Sequence, residues 1–268
     1  MPAVRRHLDR GRARIIRVLD DKGYRERADH VRRRLAVSRT VRRDTRDLEH
    51  LRVVLVATVG PDDLCVDVGA NAGTIARQVV SIAPTVRHVL VEPVPDLAER
   101  LAKELPSCEV HGVALSDREG TADFTVVVDR PTRSGLDPER LPEGARTEIV
   151  TLTVTTLDAL LAGRRPRLVK IDVEGAELEV LRGARHTLDE ARPVVVFEHG
   201  PARSGDRART EAIHALLTEA GYRVYDIDGS GPLSAEAFVA TATTGRIWNY
   251  LAVPSSAPVT ETPGWGER

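Results

Sequence analysis

The chain has 268 residues, enough for one well-buried α/β domain with an appendage and too few for two independent enzymatic domains. Its formal charge of −1 conceals an asymmetry, because residues 1–60 hold 17 Lys or Arg against 8 Asp or Glu. Aromatic residues make up only 3%, too few for a base-stacking surface, and the sequence holds no run of about 18 apolar residues that would span a membrane.

Met1–Asp20 lacks the apolar core of a signal peptide, so a cytoplasmic location is expected. Residues 1–60 read as a helical extension. Leu8, Ile15 and Leu19 share a face, Gly23 interrupts it, Val31 and Leu35 resume it, and Asp47–Val59 leads into the core. Its arginines alternate with acids, as on a solvated helical face. The extension is therefore expected to pack on the domain or to meet an acidic partner or a second copy, and not nucleic acid.

The stretch Leu64–Gly73, L-C-V-D-V-G-A-N-A-G, organises the rest of the chain. Cys65–Val68 has the clustered apolar pattern of a buried parallel strand, and after a glycine turn the pattern of Thr74–Ala83 is helical. Gly69 and Gly73 let the backbone bend sharply and approach a ligand, and the helix start offers N–H groups and a positive dipole end. Strand His88–Glu92 comes next. Glu92 stands about 20 residues beyond the turn, where a carboxylate accepts from ribose hydroxyls, so the ligand is expected to contain a nucleoside. The dinucleotide pattern G-x-G-x-x-G would need glycines where Asn71 and Thr74 stand, which disfavours NAD and an oxidoreductase. Asp67, at the same end of the strand, suits an ammonium group and would repel phosphate.

Helix Pro95–Glu104 and strand Glu109–Val113 continue the alternation. Gly120–Asp129 and Glu148–Val154 then read as a β insertion around a mobile loop, Arg130–Arg146. Alternation resumes with strand Leu168–Val173, helix Ala176–Leu188, strand Pro193–Glu198, helix Arg207–Ala220, strand Tyr222–Ile227, helix Ala235–Ala240 and strand Trp248–Val253. The implied fold is a Rossmann-like, doubly wound, mainly parallel sheet across residues 61–254, with a disordered tail at 255–268. Asp172 and Glu174 stand at the carboxyl end of one strand, and Glu198 and His199 end the next; ligands bind at such ends.

V-D-V-G-A-N-A-G together with K-I-D-V-E-G-A-E at Lys170–Glu177 resembles the FkbM family of class I S-adenosylmethionine-dependent methyltransferases, over roughly Leu64–Val253. The resemblance implies S-adenosylmethionine as cofactor, with Asp67, Gly69, Ala70, Asn71 and Gly73 around its methionine part. It places Glu92 and Pro93 at the ribose and Ser116 and Asp117 at the adenine, with Asp172 contacting the cofactor or lining the active site. In the class I sheet order Asp172, Glu174, Glu198 and His199 converge on one rim as the catalytic set. Glu174 or His199 would be the base for a hydroxyl on a small molecule such as a sugar or natural product, and the histidine is the better matched in pKa. The competing expectation is an ion-pair network in which Lys170 or an arginine neutralises Glu174 and Glu198. A base-modifying nucleic-acid methyltransferase would show an N-P-P-Y type clamp where this chain has Asp172-Val173-Glu174-Gly175. D-V-E and E-H spacings define no metal motif, so no metal is expected. The same sheet order puts Cys65 and Cys108 two strand spacings apart, about 9.6 Å, too far for a disulfide.

Overall fold

The computed structural model describes residues 45–127, 146–200, 207–245 and 247–255. The chain divides into two units, Met1–Glu49 and His50–Arg268, and the fold and site belong to the second. The expectations for residues 1–44, for the loop 128–145 and for the tail 256–268 lie outside the described residues. Among the described residues no helix is long and apolar enough to cross a membrane.

The second unit opens in a helix, α1, that runs through residue 58 and turns Leu51 and Leu55 into the core, followed by the buried Val59. Strand β1 (Cys65–Val68) is buried at all four positions. It pairs in parallel with β2 (Val89–Val91) on one side and β7 (Leu168–Ile171) on the other. Beyond β2 lies β3 (Glu109–His111). Beyond β7 come β8 (Val194–Glu198), β10 (Asn249–Pro254) and β9 (Tyr222–Asp226), in that order. β10 runs antiparallel to both of its neighbours, whereas the other pairs are parallel. A parallel sheet is covered on both faces, which is why β1, β2 and β7 read as almost unbroken apolar runs. The chain moves outward from β1 to β3 and returns on the other side of β1 as β7. Strand order thus reverses between β1 and β7, and a crevice opens at their carboxyl ends.

Helices α2 (Thr74–Ile82) and α3 (Pro95–Glu104) bury Ala76 and Leu101 against Leu90 and Ala70. Pro95 starts α3 at a position where its missing N–H costs nothing. A second sheet of order β4-β6-β5 is made by β4 (Ala114–Leu115), β5 (Gly120–Val127) and β6 (Thr147–Thr155). It closes over Val94 with Phe124 and Leu152.

Helix α4 (Leu157–Leu161) was not expected; it is too short to display a period and is declared only by its cap, Thr156, whose hydroxyl accepts from the Ala159 N–H at 3.0 Å. The expected helix Ala176–Leu188 is two pieces. α5 (Glu177–Arg182) stops at Gly183, which packs so tightly on the 116 backbone that a Cβ there would sit 2.0 Å from the Ser116 carbonyl oxygen. The chain restarts in a π-helical turn, Thr187–Ala191, whose leading N–H groups at His186 and Thr187 donate to the Asp158 carboxylate, both at 2.8 Å. Helix α6 (Arg207–Glu219) and helix α7 (Ala235–Thr244), the latter capped by Ser234 and stopped by left-handed Gly245, cover the β8 side. There Phe197, Phe238 and Tyr250 form a fully buried aromatic cluster with centroids 4.7–6.1 Å apart. Cys65 and Cys108 are buried free thiols.

Candidate active site

The turn after β1 is tied down by its own backbone. The Gly69 and Ala70 N–H groups both donate to the Val91 carbonyl, at 2.9 and 3.0 Å, joining the turn to the end of β2. Gly69 has φ 79°, and a Cβ there would stand 1.8 Å from the Asp172 carbonyl oxygen, so only glycine lets β1 and β7 approach this closely. Asn71 is also left-handed, at φ 50°, and aims its N–H at Glu92 Oε2, 2.7 Å away. The Val94 N–H donates to the other oxygen, Oε1, at 2.9 Å. Each oxygen of the buried Glu92 carboxylate is thereby oriented, and each keeps a lone pair for a ligand. Burial raises the Glu92 pKa, the two backbone bonds oppose that rise, and Asp172 adds to it.

Glu92, Gly69 and Asn71 line a pocket that opens at the crevice. Its apolar wall is Val91, Val94, Leu115 and Phe124, and its far wall is the loop from Asp172 to Ala176. A largely apolar pocket in which Glu92 is oriented by two backbone N–H groups fits a nucleoside, whose ring is flat and whose sugar carries hydroxyls.

Behind the turn lies a buried cluster of charge that the pleat explains. Asp67 and Lys170 are register partners on β1 and β7, so they face the same side, and Asp172 and Glu198, two residues beyond Lys170 and its partner Val196, share that side. Lys170 Nζ stands 3.2 Å from Asp172 Oδ2 and donates to the Ile171 carbonyl at 3.4 Å. Burial works against its ammonium, yet Asp172, Glu198 and Asp67 together hold its pKa above the ordinary lysine value. Asp67 is 5% exposed, its Oδ2 has no hydrogen-bond partner, and burial pushes its pKa up to about 6 against the pull of Lys170, with Asp172 and Glu92 raising it further. Burial likewise drives the Glu198 carboxyl well above the ordinary range, and repulsion from Asp172 and Glu174 adds to this. Glu198 is hydrogen bonded to Asp172, so its O–H donates when the pair holds one proton.

His199 is not on that side. The pleat turns it to the opposite face of β8, where it is 7% exposed, its Nε2 stands 2.9 Å from Thr210 Oγ1, and its ring stacks on Phe238 at 5.6 Å. The convergence expected of four groups holds for Asp172, Glu174 and Glu198, and His199 leaves the set. Glu174 does reach the pocket, from a left-handed backbone at φ 52° followed by Gly175 at φ 111°. The competing network is present in altered form: Lys170 pairs with Asp172 and attracts Glu198, while the arginine of the neighbourhood, Arg209, binds Glu179 and donates to the Gly175 carbonyl at 2.7 Å. Gly73 and Ala70 belong to the turn, and Pro93 lines the pocket. Ser116 lines a second, adjoining pocket, and Asp117 lines neither, its carboxylate lying 3.2 Å from Ser116 Oγ and 3.9 Å from Arg118. Sequence reasoning passed over Lys170 as a site residue, although a lysine in the middle of the buried run L-V-K-I was a visible signal. It also passed over Phe124, which only the folding back of the β insertion brings to the pocket.

Taken along the large sheet alone, the seven strands follow the order 3-2-1-4-5-7-6 with the seventh reversed, which is the Rossmann-like architecture of class I methyltransferases. The Methyltransferase FkbM domain matches residues 67–224, more than half of the chain, and the chain belongs to that family of enzymes. It is 28% identical over 186 residues to the hexuronic acid methyltransferase AglP of Haloferax volcanii, covering 66% of this chain and 73% of AglP. It is 27% identical over 174 residues to the 2-O-methyltransferase NoeI of Sinorhizobium fredii, covering 57% of this chain and 70% of NoeI. The AMB antimetabolite synthetase AmbE of Pseudomonas aeruginosa is 29% identical over 204 residues, 61% of this chain, of which the chain spans only 10%. Among solved structures, the FkbM methyltransferase of Methylobacillus flagellatus KT aligns over 72% of this chain and 44% of its own, with a TM-score of 0.45 and 18% identity.

Proposed function

We propose that this methyltransferase uses S-adenosylmethionine to methylate a hydroxyl oxygen on a small molecule, a sugar or natural product. The observation that carries the reading is Glu92, whose two oxygens are aimed into the pocket by the Asn71 and Val94 N–H groups at the ribose spacing. Two relatives support the oxygen acceptor and the small substrate, being a hexuronic acid methyltransferase and a 2-O-methyltransferase.

The residues present fit the cofactor on one further count: Asp67 keeps an unpartnered buried oxygen at the end of β1, suited to a cationic donor. Glu92 would hold the ribose hydroxyls, Asp67 and the turn the amino-acid end, and Val94, Leu115 and Phe124 the flat base. Bound there, S-adenosylmethionine supplies a methyl group activated by its sulfonium. The chain's own share is to exclude water, align the acceptor oxygen and receive its proton, and alignment supplies much of the rate. Glu174, standing on the pocket wall, receives the proton in place of His199. Asp172, braced by Lys170 and Glu198, holds the far wall.

Calorimetry with S-adenosylmethionine, S-adenosylhomocysteine and NAD tests the cofactor. Both sulfur ligands are expected to bind, and Glu92→Ala to weaken them by about 1–3 kcal/mol, the loss of a buried charged hydrogen bond. Binding of NAD alone would sink the reading.

A further inference from the structure

The buried charge behind the glycine turn does not balance. Asp67 of β1 and Lys170 of β7 are register partners, Asp172 stands two residues beyond Lys170, and Glu198 stands two beyond its partner Val196. Three carboxylates and one ammonium therefore share one side of the sheet. Asp172 and Glu198 are hydrogen bonded to each other and can share a proton, yet even then the cluster carries two negative charges against one positive. The imbalance has a place. Lys170 Nζ is engaged by Asp172 Oδ2 at 3.2 Å and by the Ile171 carbonyl at 3.4 Å, whereas Oδ2 of the buried Asp67 has no hydrogen-bond partner. A lysine kept only to neutralise a buried acid would need one acid beside it; this one faces three.

We infer that Lys170 is a positioning residue for the cofactor: its ammonium, one strand over from Asp67, keeps that carboxylate charged and its open oxygen ready for the ammonium at the amino-acid end of the ligand. The inference rests on the S-adenosylmethionine reading and goes beyond it by giving a cofactor role to a residue that does not line the Glu92 pocket. Burial alone would favour the protonated carboxyl, which is a poor partner for an ammonium, and a nearby cation opposes that. The groups that act on Asp67 come from every side. From β7 Lys170 attracts its charge and Asp172 repels it, from the end of β2 Glu92 repels it, and from α2 the Ala76 N–H supplies a hydrogen bond. Cys65 on its own strand and Cys108 ahead of β3 also feel its charge, and burial keeps both as neutral thiols. Among these described groups Lys170 is the cation, and its pull is the largest that opposes burial, which still carries Asp67 up to about 6. Lys170 is itself held charged by Asp172, Glu198 and Asp67 together, and Glu198 in turn faces Asp172, Lys170 and Glu174. With Lys170 gone the Asp67 midpoint moves higher, and at neutral pH more of the carboxyl holds a proton.

The test is calorimetry on the whole protein with S-adenosylhomocysteine and with 5′-methylthioadenosine, which shares the adenosine and the sulfur and lacks the amino-acid end. In the parent, S-adenosylhomocysteine affinity should rise about tenfold from pH 5 to pH 7.5, as expected when a carboxyl with a midpoint near 6 ionises, and 5′-methylthioadenosine affinity should stay within about twofold. Lys170→Met should weaken S-adenosylhomocysteine roughly tenfold or more at pH 7, move the rise to higher pH, and spare 5′-methylthioadenosine. In an Asp67→Asn background the same substitution should add less than about twofold, because Lys170 acts through Asp67. Lys170→Gln takes its place where the methionine variant does not fold, and the parent profile needs no variant at all. A flat profile in the parent, an equal loss for both ligands, undiminished affinity in the folded variant, or a full further loss in the Asp67→Asn background would overturn the inference. Failure of the parent protein to bind S-adenosylhomocysteine at any pH would instead overturn the cofactor reading.

Discussion

Replacing Asp67 by Asn should make the protein more stable and worse at its work. Asp67 is buried, lacks a partner for Oδ2, and has its pKa pushed from 3.8 up to about 6, a rise that already includes the attraction of Lys170. A rise of about two pH units corresponds to about 3 kcal/mol, which is what keeping this carboxylate charged costs the fold at neutral pH. The sign follows from proton binding. Between roughly pH 4 and pH 6 the folded state holds a proton that the unfolded chain has released, so stability falls as pH rises through that window and stays low above it. Asn has the same shape and does not titrate, and Lys170 retains Asp172 at 3.2 Å. The variant should therefore exceed the parent by about 1–3 kcal/mol at pH 7.5, or roughly 4–8 °C in Tm for a gain of 2 kcal/mol in a domain of this size, and by only about a third of that gap at pH 4.5. The assay is urea unfolding of the ligand-free proteins at both pH values. S-adenosylmethionine affinity should fall in the same variant, because its ammonium loses the charge that the fold went without compensating. A variant no more stable than the parent at pH 7.5, or one that binds the cofactor undiminished, would refute the reasoning.

Other outcomes rest on the same geometry. Gly69→Ala brings a methyl group to 1.8 Å from the Asp172 carbonyl oxygen on a backbone at φ 79°, so a loss of roughly 3 kcal/mol or more in unfolding free energy is expected, together with loss of cofactor binding by calorimetry. His199→Ala should lower stability by about 1–3 kcal/mol through the lost Thr210 bond and Phe238 stacking, and leave turnover of folded enzyme within a few-fold; a hundredfold fall in kcat would return His199 to the chemistry. Glu174→Gln should cut kcat by about 10²-fold with S-adenosylhomocysteine affinity intact, and activity unchanged across the pH profile would remove the proton-receiving role.

How much of this was legible depended on whether the signal was local. The glycine turn was, because a tight turn and a close backbone approach each demand glycine, and so was the place of Glu92 at the end of β2, because the apolar run before it reads as a strand. His199 was misplaced despite a rule in plain sight: in a strand, neighbours point to opposite faces, so once Glu198 belongs to the side of Lys170 and Asp172, His199 cannot. The adjacency E-H suggested a shared rim where the pleat separates the two. Lys170 was seen as a possible neutraliser, yet its register with Asp67 depends on the pairing of strands about a hundred residues apart, which no local pattern carries. The break of the expected helix at Gly183 has the same origin, since the carbonyl that forbids a side chain there belongs to Ser116. Asp117 fitted the adenine position by motif alone, and S-D-R-E-G is equally a turn sequence.

The place of β10 constrains the order in which the molecule can be completed. Among the described residues, Tyr222–Asp226 joins the large sheet only through β10, whose own residues are Asn249–Pro254. Until that last strand arrives, β8 presents an open edge with Val195, Val196 and Phe197 at its centre, and Phe238 lacks the Tyr250 ring 4.7 Å away. A growing chain that stops short of residue 249 therefore carries the glycine turn, Glu92 and the whole β1–β7 crevice, yet exposes a sticky strand edge of the kind that templates association with other chains. The half of the sheet that carries the crevice and the half that seals are made at different times, and a nascent or truncated form should aggregate through β8 before its pocket is at fault.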